Sequence, residues 1–417
     1  MKLKVYFKTF GCRTNVFDTQ VMIENLKDFE VTQEESEADI IVVNSCSVTN
    51  GADSGVKNYL NKMSKTDKTL YLTGCGVKTK GKEFSTLVRG VFDHAHKENI
   101  NRLLQEKKPF FFTSSPEEKH IDQTLVSEFA GKSRAFIKIE EGCDFACSYC
   151  IIPFTRGKAR SLPQDSILKQ VSLLTQNGIE EIVLTGTNMG SYGKDTQTSV
   201  AKLIKEIAKI DGIKRIRIGS LEPSQIDEEF LELLGESFLE KHLHIALQHS
   251  HNTMLEIMNR VNRFESDLSL LSKIASKGFA IGSDYIVGHP GESEEIWKEA
   301  YNHLKLLPLT HIHPFIYSPR DGTPSSKLGP RINGNIAKER LHQLKALISK
   351  KNIAFREQKQ KLEVLVESYT DGIAIGLDQF YNKIKIHTPI APKNQWLQIT
   401  EYEILKDYNQ TFLKEER

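Results

Sequence analysis

The sequence predicts an α/β protein of three parts: a doubly wound parallel sheet, then a partial, open (β/α)6 barrel, then a small β-barrel. Apolar strands alternate with amphipathic helices in the first third of the chain, and this alternation resumes at Ala135. Residues 362–413 contain short runs of β-forming residues separated by turn signals. We therefore predict domains at 1–130, 131–355 and 356–417.

In the first part, each predicted strand is followed by a predicted helix, which is the order of a parallel sheet with helices on its faces. The strands are Lys4–Phe10, Asp39–Ser45, Thr69–Thr73 and Gly90–His94, and the helices are Val16–Leu26, Ala52–Met63, Thr79–Leu87 and Glu98–Gln105. Residues 107–133 are polar and poorly periodic, and we interpret them as a linker.

Parallel strands with helices between them predict the barrel, where functional groups gather at the carboxyl ends of the strands. Its strands are Ala135–Glu140, Glu181–Thr185, Arg215–Gly219, His242–Gln248, Ile281–Val287 and His311–Tyr317. Its helices are Asp165–Thr175, Val200–Ile210, Glu228–Leu234, Thr253–Ser276 and Glu294–Leu307, and a long helix is predicted over 335–360.

Composition indicates a globular protein, since 39% of the 417 residues are hydrophobic and 26% are charged. The net charge of +2 neither requires nor excludes nucleic acid as a partner. No run approaches the roughly 18 apolar residues of a membrane helix, and the N-terminus lacks the apolar core of a signal peptide. We therefore predict no membrane partner and a cytoplasmic location, where cysteine thiols stay reduced.

Cys143, Cys147 and Cys150 form a C-x3-C-x2-C run after the first barrel strand. Thiolates are soft ligands suited to iron–sulfur clusters, and a 4Fe–4S cluster bound by three of them keeps one iron open. A zinc site would need a fourth ligand nearby, a ferredoxin motif has another spacing, and buried thiols acting as apolar groups are the simplest alternative. The run resembles the signature of radical S-adenosylmethionine (SAM) enzymes.

Cys12, Cys46 and Cys75 are far apart in sequence, but each closely follows a predicted strand. Adjacent strand ends of an open parallel sheet converge on one crevice, so the three thiols could meet there. Buried cysteines at strand ends are also common, and strand geometry alone does not separate the two interpretations.

The two cysteine sets occur in the order typical of the methylthiotransferase family, which includes the MiaB, MtaB and RimO types. The chain resembles this family over nearly its whole length. The matching segments are Thr9–Asn15, Asn44–Thr49, Thr73–Cys75, Glu141–Pro153, Thr155–Gly157, Leu184–Asn188 and Ser318–Pro324. The family's N-terminal domain, radical-SAM domain and C-terminal TRAM barrel correspond to the three predicted parts.

The resemblance implies a radical-SAM methylthiotransferase with two 4Fe–4S clusters, each with an open iron. The cluster on the 143–150 run would bind SAM and, on reduction, generate a 5′-deoxyadenosyl radical that abstracts a hydrogen from the substrate. The cluster on the three scattered cysteines would carry the sulfur, which a second SAM methylates. A reductant such as flavodoxin or ferredoxin is also implied. The resemblance does not identify the sulfur donor.

The family divides by substrate. The MiaB and MtaB types act on adenosines beside the tRNA anticodon, and the RimO type acts on an aspartate of a ribosomal protein. Residues 151–161 and 187–195 resemble the MtaB pattern, which implies methylthiolation of N6-threonylcarbamoyladenosine at ring carbon 2. Arg156, Lys158 and Arg160 are then candidates for contacts to phosphates or to the threonyl carboxylate, with ordinary surface charge as the alternative.

Other functions remain open from the motifs alone. They are methylthiolation of N6-isopentenyladenosine or of a ribosomal-protein aspartate, and a non-catalytic role as an iron–sulfur carrier or RNA-binding protein. The basic residues of the helix over 335–360 are best explained, on their own, as a solvated face. Together with Tyr381, Lys383 and Lys385 on the predicted β-barrel and with the motif match, they favour tRNA.

The resemblance also implies SAM contacts at strand ends, although such polar residues can simply cap helices. The matching positions are Thr185, Asn188, Ser220, Glu222, Gln248 and Asp284. Beside them the chain departs from the family: Gln-Ser-Gly-Ser is replaced by Gln248-His249-Ser250-His251, and Gly-Phe-Pro-Gly by Gly288-His289-Pro290-Gly291. We interpret His249 and His251 as solvated loop residues rather than as metal ligands or proton carriers.

Overall fold

The structure is a computed structural model that describes residues 2–115, 120–129, 133–359 and 361–413. It confirms the predicted α/β class, with parallel sheets in the first two parts and a curled β-sheet in the third. Part of the predicted linker, residues 116–119 and 130–132, lies outside the described residues, as does the predicted boundary at 130. No helix in the described ranges is both long and apolar enough to cross a membrane.

The N-terminal part is a six-stranded sheet of parallel strands in the order β2-β1-β3-β4-β5-β6. The strands are β1 Lys4–Thr9, β2 Glu30–Val31, β3 Ile40–Ser45, β4 Thr69–Gly74, β5 Gly90–Phe92 and β6 Phe110–Phe112, and the helices are α1 Arg13–Glu24, α2 Asn50–Met63, α3 Gly76–Phe84 and α4 Ile100–Leu103. Because β1, β3 and β4 are neighbours, their carboxyl ends lie side by side. The predictions missed only the short edge strands β2 and β6, and β6 lies within the segment interpreted as a linker.

The central part is an open barrel whose strands follow one another in chain order. One sheet has the order β11-β10-β7, a second has β12-β13-β14-β15, and β8 pairs with β9. The strands are β7 Ala135–Lys138, β8 Glu140–Glu141, β9 Arg160–Ser161, β10 Glu181–Thr185, β11 Arg215–Ile218, β12 Ser220–Leu221, β13 His242–Ile245, β14 Ala280–Val287 and β15 His311–Ile316. The helices are α5 Ile152–Arg156, α6 Gln164–Gln176, α7 Val200–Ile207, α8 Glu228–Glu232, α9 Asn252–Ile257, α10 Phe264–Ser276 and α11 Glu294–Leu306.

The structure corrects one predicted barrel helix. The segment Thr253–Ser276 is two helices, α9 and α10, and not one. The break follows Asn259, whose φ of 53° is in the left-handed region, where asparagine is tolerated and a helix commonly ends. This break places Arg260 in the barrel interior, where its side chain is buried.

The long helix α12, Gly334–Glu357, packs against β14 and β15 of the barrel, and the chain after it forms a curled sheet of order β19-β16-β17-β18-β21-β20. Its strands are β16 Leu362–Thr370, β17 Ile373–Leu377, β18 Lys383–His387, β19 Trp396–Ile399, β20 Glu403–Ile404 and β21 Asn409–Phe412. The basic helix is not a fully solvated face. Arg340 is buried against Glu292 at 2.7 Å, and Lys351 donates to the carbonyl oxygen of Leu304 at 2.9 Å.

Helix α1 joins the N-terminal sheet to the barrel. Its residues Phe17 and Val21 share one apolar core with Ile137 of β7 and Leu184 of β10. This packing brings the segment after β1 close to the carboxyl ends of the barrel strands, where the second cysteine run lies.

Candidate active site

The cysteines of the N-terminal sheet, Cys12, Cys46 and Cys75, follow the neighbouring strands β1, β3 and β4; we call them the N-terminal set. Cys46 and Cys75 are buried and Cys12 is exposed. A Cβ on Gly11 would lie 3.0 Å from Cys46 Sγ, which shows how closely the first two segments approach. The predicted convergence of these strand ends is therefore seen in the fold.

The cysteines of the barrel, Cys143, Cys147 and Cys150, lie in the loop after β8; we call them the barrel set. The Cys143 amide donates to Gly157 O at 3.0 Å, and the Cys150 amide donates to Cys147 O at 3.1 Å. Burial raises the pKa of Cys143 to about 11 and that of Cys150 to about 12, so these thiols stay protonated near neutral pH unless a cation or metal stabilises the thiolates.

Neither set has the spacing of a single-ion site. A site for one ion needs at least three His, Cys, Asp or Glu side chains whose ligand atoms lie within about 4.8 Å of one another. In the described part of the chain, only two groups meet this condition, and neither contains a cysteine: His244, Asp284 and His313, and Glu98, His120 and Asp122. Sulfurs around one tetrahedral zinc would be about 4 Å apart. Three thiols that converge more loosely fit a larger iron–sulfur cluster, so both donor sets are compatible with one.

The loop of the barrel set depends on one glycine. Gly142 has φ of 91°, and a Cβ there would lie 2.0 Å from Lys158 O. Gly178 has a similar φ of 83° but open space around it. We expect Gly178→Ala to lower the free energy of unfolding by about 1 kcal/mol, which is the usual cost of a left-handed backbone for a non-glycine residue. Gly142→Ala should lower it by at least about 2 kcal/mol more and should also lower iron binding, because the backbone must move. Urea unfolding and iron analysis measure both; equal losses in the two variants would show that the close approach is unimportant.

A buried charge network joins the two cysteine sets. Its core consists of Arg156, Lys138 and Lys97 with Asp18, Glu141 and Asp122. The Arg156 Nε lies 3.1 Å from Cys75 Sγ, and its terminal nitrogens donate to Glu141 at 2.7 Å and to Asp18 at 2.9 Å. Glu141 is two residues before Cys143, so one side chain links the N-terminal set to the base of the barrel loop.

The charges of this network balance one another. Burial alone would raise the pKa of Glu141, but the cations Lys138 and Arg156 hold that pKa well below its ordinary value. The pKa of Asp18 is lowered too, since Lys138 and Arg156 outweigh the effect of burial. Both carboxylates are therefore ionised at neutral pH, and loss of one cation would leave a buried charge uncompensated.

On the other side of the barrel set, Arg260 is the main polar contact. Its Nη1 donates to Glu222 at 2.7 Å and lies 3.6 Å from Cys147 Sγ. The amide of Asn188 lies 3.6 Å from Cys143 Sγ. Two of the expected SAM residues, Asn188 and Glu222, thus lie beside the barrel set directly or through Arg260.

The other four expected SAM residues have different partners, and Asp284 lies in the middle of β14 rather than at a strand end. Thr185 faces Thr14 of α1, with the hydroxyl oxygens 3.5 Å apart, and Ser220 is exposed. The Gln248 backbone bridges to β14, with its amide donating to Asp284 O at 3.0 Å. The Asp284 carboxylate faces two histidines, His244 at 3.2 Å and His313 at 3.5 Å.

The structure corrects the expectation for two of the three basic residues of the loop. Arg156 and Arg160 are not surface charges available to a phosphate, because both are buried and bound by protein groups. Arg160 Nη1 donates to Arg156 O at 2.8 Å. Lys158 is exposed and remains a candidate for contact with substrate.

The structure also corrects the interpretation of the histidines at the positions that depart from the family pattern. His249 is fully buried rather than solvated, with Nε2 3.2 Å from Glu292. His251 caps α9 by accepting from the Thr253 amide at 3.2 Å. His289 is buried as well, and it is hydrogen-bonded to Ser325, which donates to Ser148 inside the barrel set's loop.

Tyr381 is not on the outer surface with Lys383, as its predicted RNA-holding role required. Its ring stacks on His242 at 5.0 Å between centroids, and its hydroxyl accepts from Arg13 at 2.5 Å. Sequence reasoning missed Arg13, Arg260 and the network around Arg156. Only Arg13 had a local signal, its position directly after Cys12.

Comparison with known proteins agrees with this architecture. Residues 4–93 match Uncharacterized protein family UPF0004, and residues 137–304 match the Radical SAM superfamily. The radical SAM methyltransferase TsrM from Kitasatospora setae shares the fold, with a TM-score of 0.58 and 16% identity over 78% of this chain and 77% of that one. The cobalamin-dependent SAM radical enzyme OxsB gives a TM-score of 0.52 and 11% identity over 84% and 56%.

Full-length relatives are more similar. A Helicobacter pylori J99 protein named "Putative methylthiotransferase" is 60% identical over 97% of this chain and 99% of its own. "Threonylcarbamoyladenosine tRNA methylthiotransferase MtaB" of Aquifex aeolicus is 36% identical over 88% and 96%. A "tRNA-2-methylthio-N(6)-dimethylallyladenosine synthase" of Bacillus cytotoxicus is 32% identical over 96% and 83%.

The fold and the C-x3-C-x2-C loop define a radical-SAM enzyme, with SAM and a 4Fe–4S cluster as its cofactors. Within that class, the chain belongs to the radical-SAM methylthiotransferase family and is MtaB-like. The non-catalytic alternative is thereby set aside.

Proposed function

We propose that this enzyme inserts a methylthio group at C2 of N6-threonylcarbamoyladenosine next to the tRNA anticodon, with SAM as both radical source and methyl donor. One observation carries the proposal: a buried arginine, Arg156, links the N-terminal cysteine set to the base of the loop that contains the barrel set. Cys75 contacts Arg156, Arg156 contacts Glu141, and Glu141 directly precedes the Gly142-Cys143 turn. A sulfur-insertion reaction needs a radical generator and a sulfur carrier at one substrate.

In this proposal, the barrel set holds the cluster that supplies reductive SAM cleavage, and the N-terminal set holds a second 4Fe–4S cluster that supplies the sulfur. The chain's own residues support both clusters. Arg156 and Arg260 each place a guanidinium beside a cysteine of one set, at 3.1 Å from Cys75 and 3.6 Å from Cys147. Burial raises the pKa of Cys75 to about 12, and the Arg156 guanidinium opposes that rise.

SAM binding is proposed for the polar residues around the barrel set, with Asn188 and Glu222 nearest and Thr185, Ser220, Gln248 and Asp284 completing the pocket. Glu222 pairs with Arg260 and is still accessible, since its side chain is 18% exposed. Such a group suits the SAM ammonium.

The MtaB-like relatives support the tRNA substrate, because those proteins are named for threonylcarbamoyladenosine in tRNA and are 35–36% identical to this chain. The relatives named for dimethylallyladenosine are 30–32% identical. The exposed Lys158 supports a phosphate contact, and the curled C-terminal sheet supports RNA binding. A tRNA substrate implies a cytoplasmic enzyme served by a reductant such as flavodoxin or ferredoxin.

Nucleoside mass spectrometry of tRNA from cells lacking the gene tests the substrate. We expect the methylthio form of N6-threonylcarbamoyladenosine to disappear and its unmodified precursor to accumulate, and a plasmid copy of the gene to reverse both changes. An unchanged methylthio nucleoside would overturn the proposal. Loss of the methylthio form of N6-isopentenyladenosine, or of mass from a ribosomal protein, would instead identify one of the two alternative substrates.

A further inference from the structure

Arg13 occupies an unusual position at the N-terminal set. It directly follows Cys12, a proposed ligand of the sulfur-carrying cluster, and it is the first residue of α1. It is half-buried, and its Nη2 donates to the Tyr381 hydroxyl at 2.5 Å, while its guanidinium lies 5.4 Å from the Tyr381 ring centroid. A residue from the C-terminal sheet therefore holds the first residue of α1.

Contacts with the barrel fix the position of the Tyr381 ring. It stacks on His242 with an interplanar angle of 20°, and Arg217 lies 5.5 Å from its centroid. Its φ of 68° is in the left-handed region, which costs free energy for a non-glycine residue and is retained only where the surroundings fix it. The Asp378 carboxylate fixes this turn by accepting from the Asn382 amide at 2.7 Å.

Arg13 also lacks a counterion. Within the described residues, no carboxylate lies within 4.0 Å of its guanidinium, whereas the other arginines of this region, Arg156, Arg217 and Arg260, all have one. Glu240 is close enough for Arg13 to oppose the rise that burial causes in its pKa. However, that carboxylate is already bound by Arg217 at 2.7 Å and by the Ile218 amide at 2.7 Å. Arg13 is thus a cation fixed in position, and its remaining N–H groups can donate to an anion.

We propose that Arg13, positioned by Tyr381, binds the carboxylate of the substrate's N6 substituent and so selects an acidic adenosine over an apolar one. This inference rests on the proposed function. The threonylcarbamoyl group carries a carboxylate, and its urea N–H can donate to ring N1, which directs the group toward the ring edge that contains C2. In this proposal, Arg13, next in sequence to a ligand of the sulfur-carrying cluster, reaches the substituent on that side of the ring. An isopentenyl group would leave the guanidinium desolvated and unpaired.

The test uses cluster-reconstituted enzyme and two anticodon stem-loop RNAs, one with N6-threonylcarbamoyladenosine and one with its neutral methyl ester. For the wild type we expect a preference for the acid of ~10- to 100-fold in kcat/KM, the range for a hydrogen-bonded charge pair. Arg13→Gln should lose most of this preference, Arg13→Lys should keep part of it, and Tyr381→Phe should raise KM more than it lowers kcat. The preference is a ratio within one preparation, so incomplete cluster loading does not affect it.

Fluorescence anisotropy of the two labelled loops measures the same preference as a ratio of dissociation constants. This measurement also applies to any variant that is inactive. Arg13→Gln that still prefers the acid as strongly as wild type would overturn the inference. Wild-type enzyme that methylthiolates acid and ester equally well would also overturn it, while leaving the proposed function intact. Wild-type enzyme that modifies neither loop, but does modify an isopentenyladenosine loop, would overturn both.

Discussion

Replacement of Arg156 by methionine is expected to lower the free energy of unfolding by about 3–5 kcal/mol, because it leaves Asp18 and Glu141 buried with one cation fewer. It also removes the guanidinium 3.1 Å from Cys75 Sγ. We therefore expect iron in the reconstituted enzyme to fall from about eight to about four atoms per chain. Urea unfolding and iron analysis measure the two effects separately.

Two variants control this result. Arg156→Lys keeps the charge but cannot reach all three partners, so it should recover part of both losses. Lys169→Met removes an exposed cation from α6 and should change stability by less than about 0.5 kcal/mol. If Arg156→Met retained about eight iron atoms, Arg156 would not support the N-terminal cluster, and the link between the two sets would be structural only.

Replacement of Arg260 by methionine is expected to slow SAM cleavage by ~100-fold, which corresponds to about 2.7 kcal/mol. The change leaves the Glu222 carboxylate without its ion pair and the Cys147 thiolate without the guanidinium 3.6 Å away. Formation of 5′-deoxyadenosine by the reduced, reconstituted enzyme in the absence of RNA measures this effect without involving the N-terminal set.

The matched control is Arg102→Met, because Arg102 is an exposed arginine of the N-terminal part with a distant partner, Glu106, at 3.8 Å. Its removal should leave SAM cleavage unchanged within about 2-fold. A rate for Arg260→Met within ~3-fold of wild type would contradict the role assigned to this residue, and the predicted pocket around Glu222 would have to be placed elsewhere.

The sequence predicted the strands, the barrel and both cysteine sets because these features follow from local patterns. Short apolar runs followed by amphipathic helical patterns mark the strands of a parallel sheet, and cysteines directly after neighbouring parallel strands come together at one sheet edge. The convergence of Cys12, Cys46 and Cys75 thus follows from strand order, although sequence alone could not distinguish it from ordinary buried cysteines.

Side-chain partners across domains could not be predicted in this way. Arg156 was expected to contact substrate from the surface, but docking of α1 against β7 buries it between Asp18 and Glu141. Tyr381 was expected to hold RNA, yet its turn inserts into the barrel and reaches Arg13. The contacts of Arg156 with Asp18 and of Tyr381 with Arg13 join residues separated by more than 100 positions, and no sequence period encodes them.

The helix break at Arg260 and the burial of His249 were missed for a different reason. The predicted helix over 253–276 has adequate helical periodicity, and only the left-handed Asn259 interrupts it. His249 lies in a loop, where histidines are usually solvated, but Glu292 and Arg340 form a buried polar site around it. Tertiary packing overrides local preference in both cases.

The central claim, that two open clusters serve one reaction, is tested most directly by iron and product analysis of two alanine variants, each lacking one whole cysteine set. We predict about eight iron atoms per chain in the wild type and about four in each variant. The variant without the N-terminal set should still form 5′-deoxyadenosine but no methylthio product, whereas the variant without the barrel set should form neither. A variant without the N-terminal set that kept about eight iron atoms or still methylthiolated tRNA would contradict the claim.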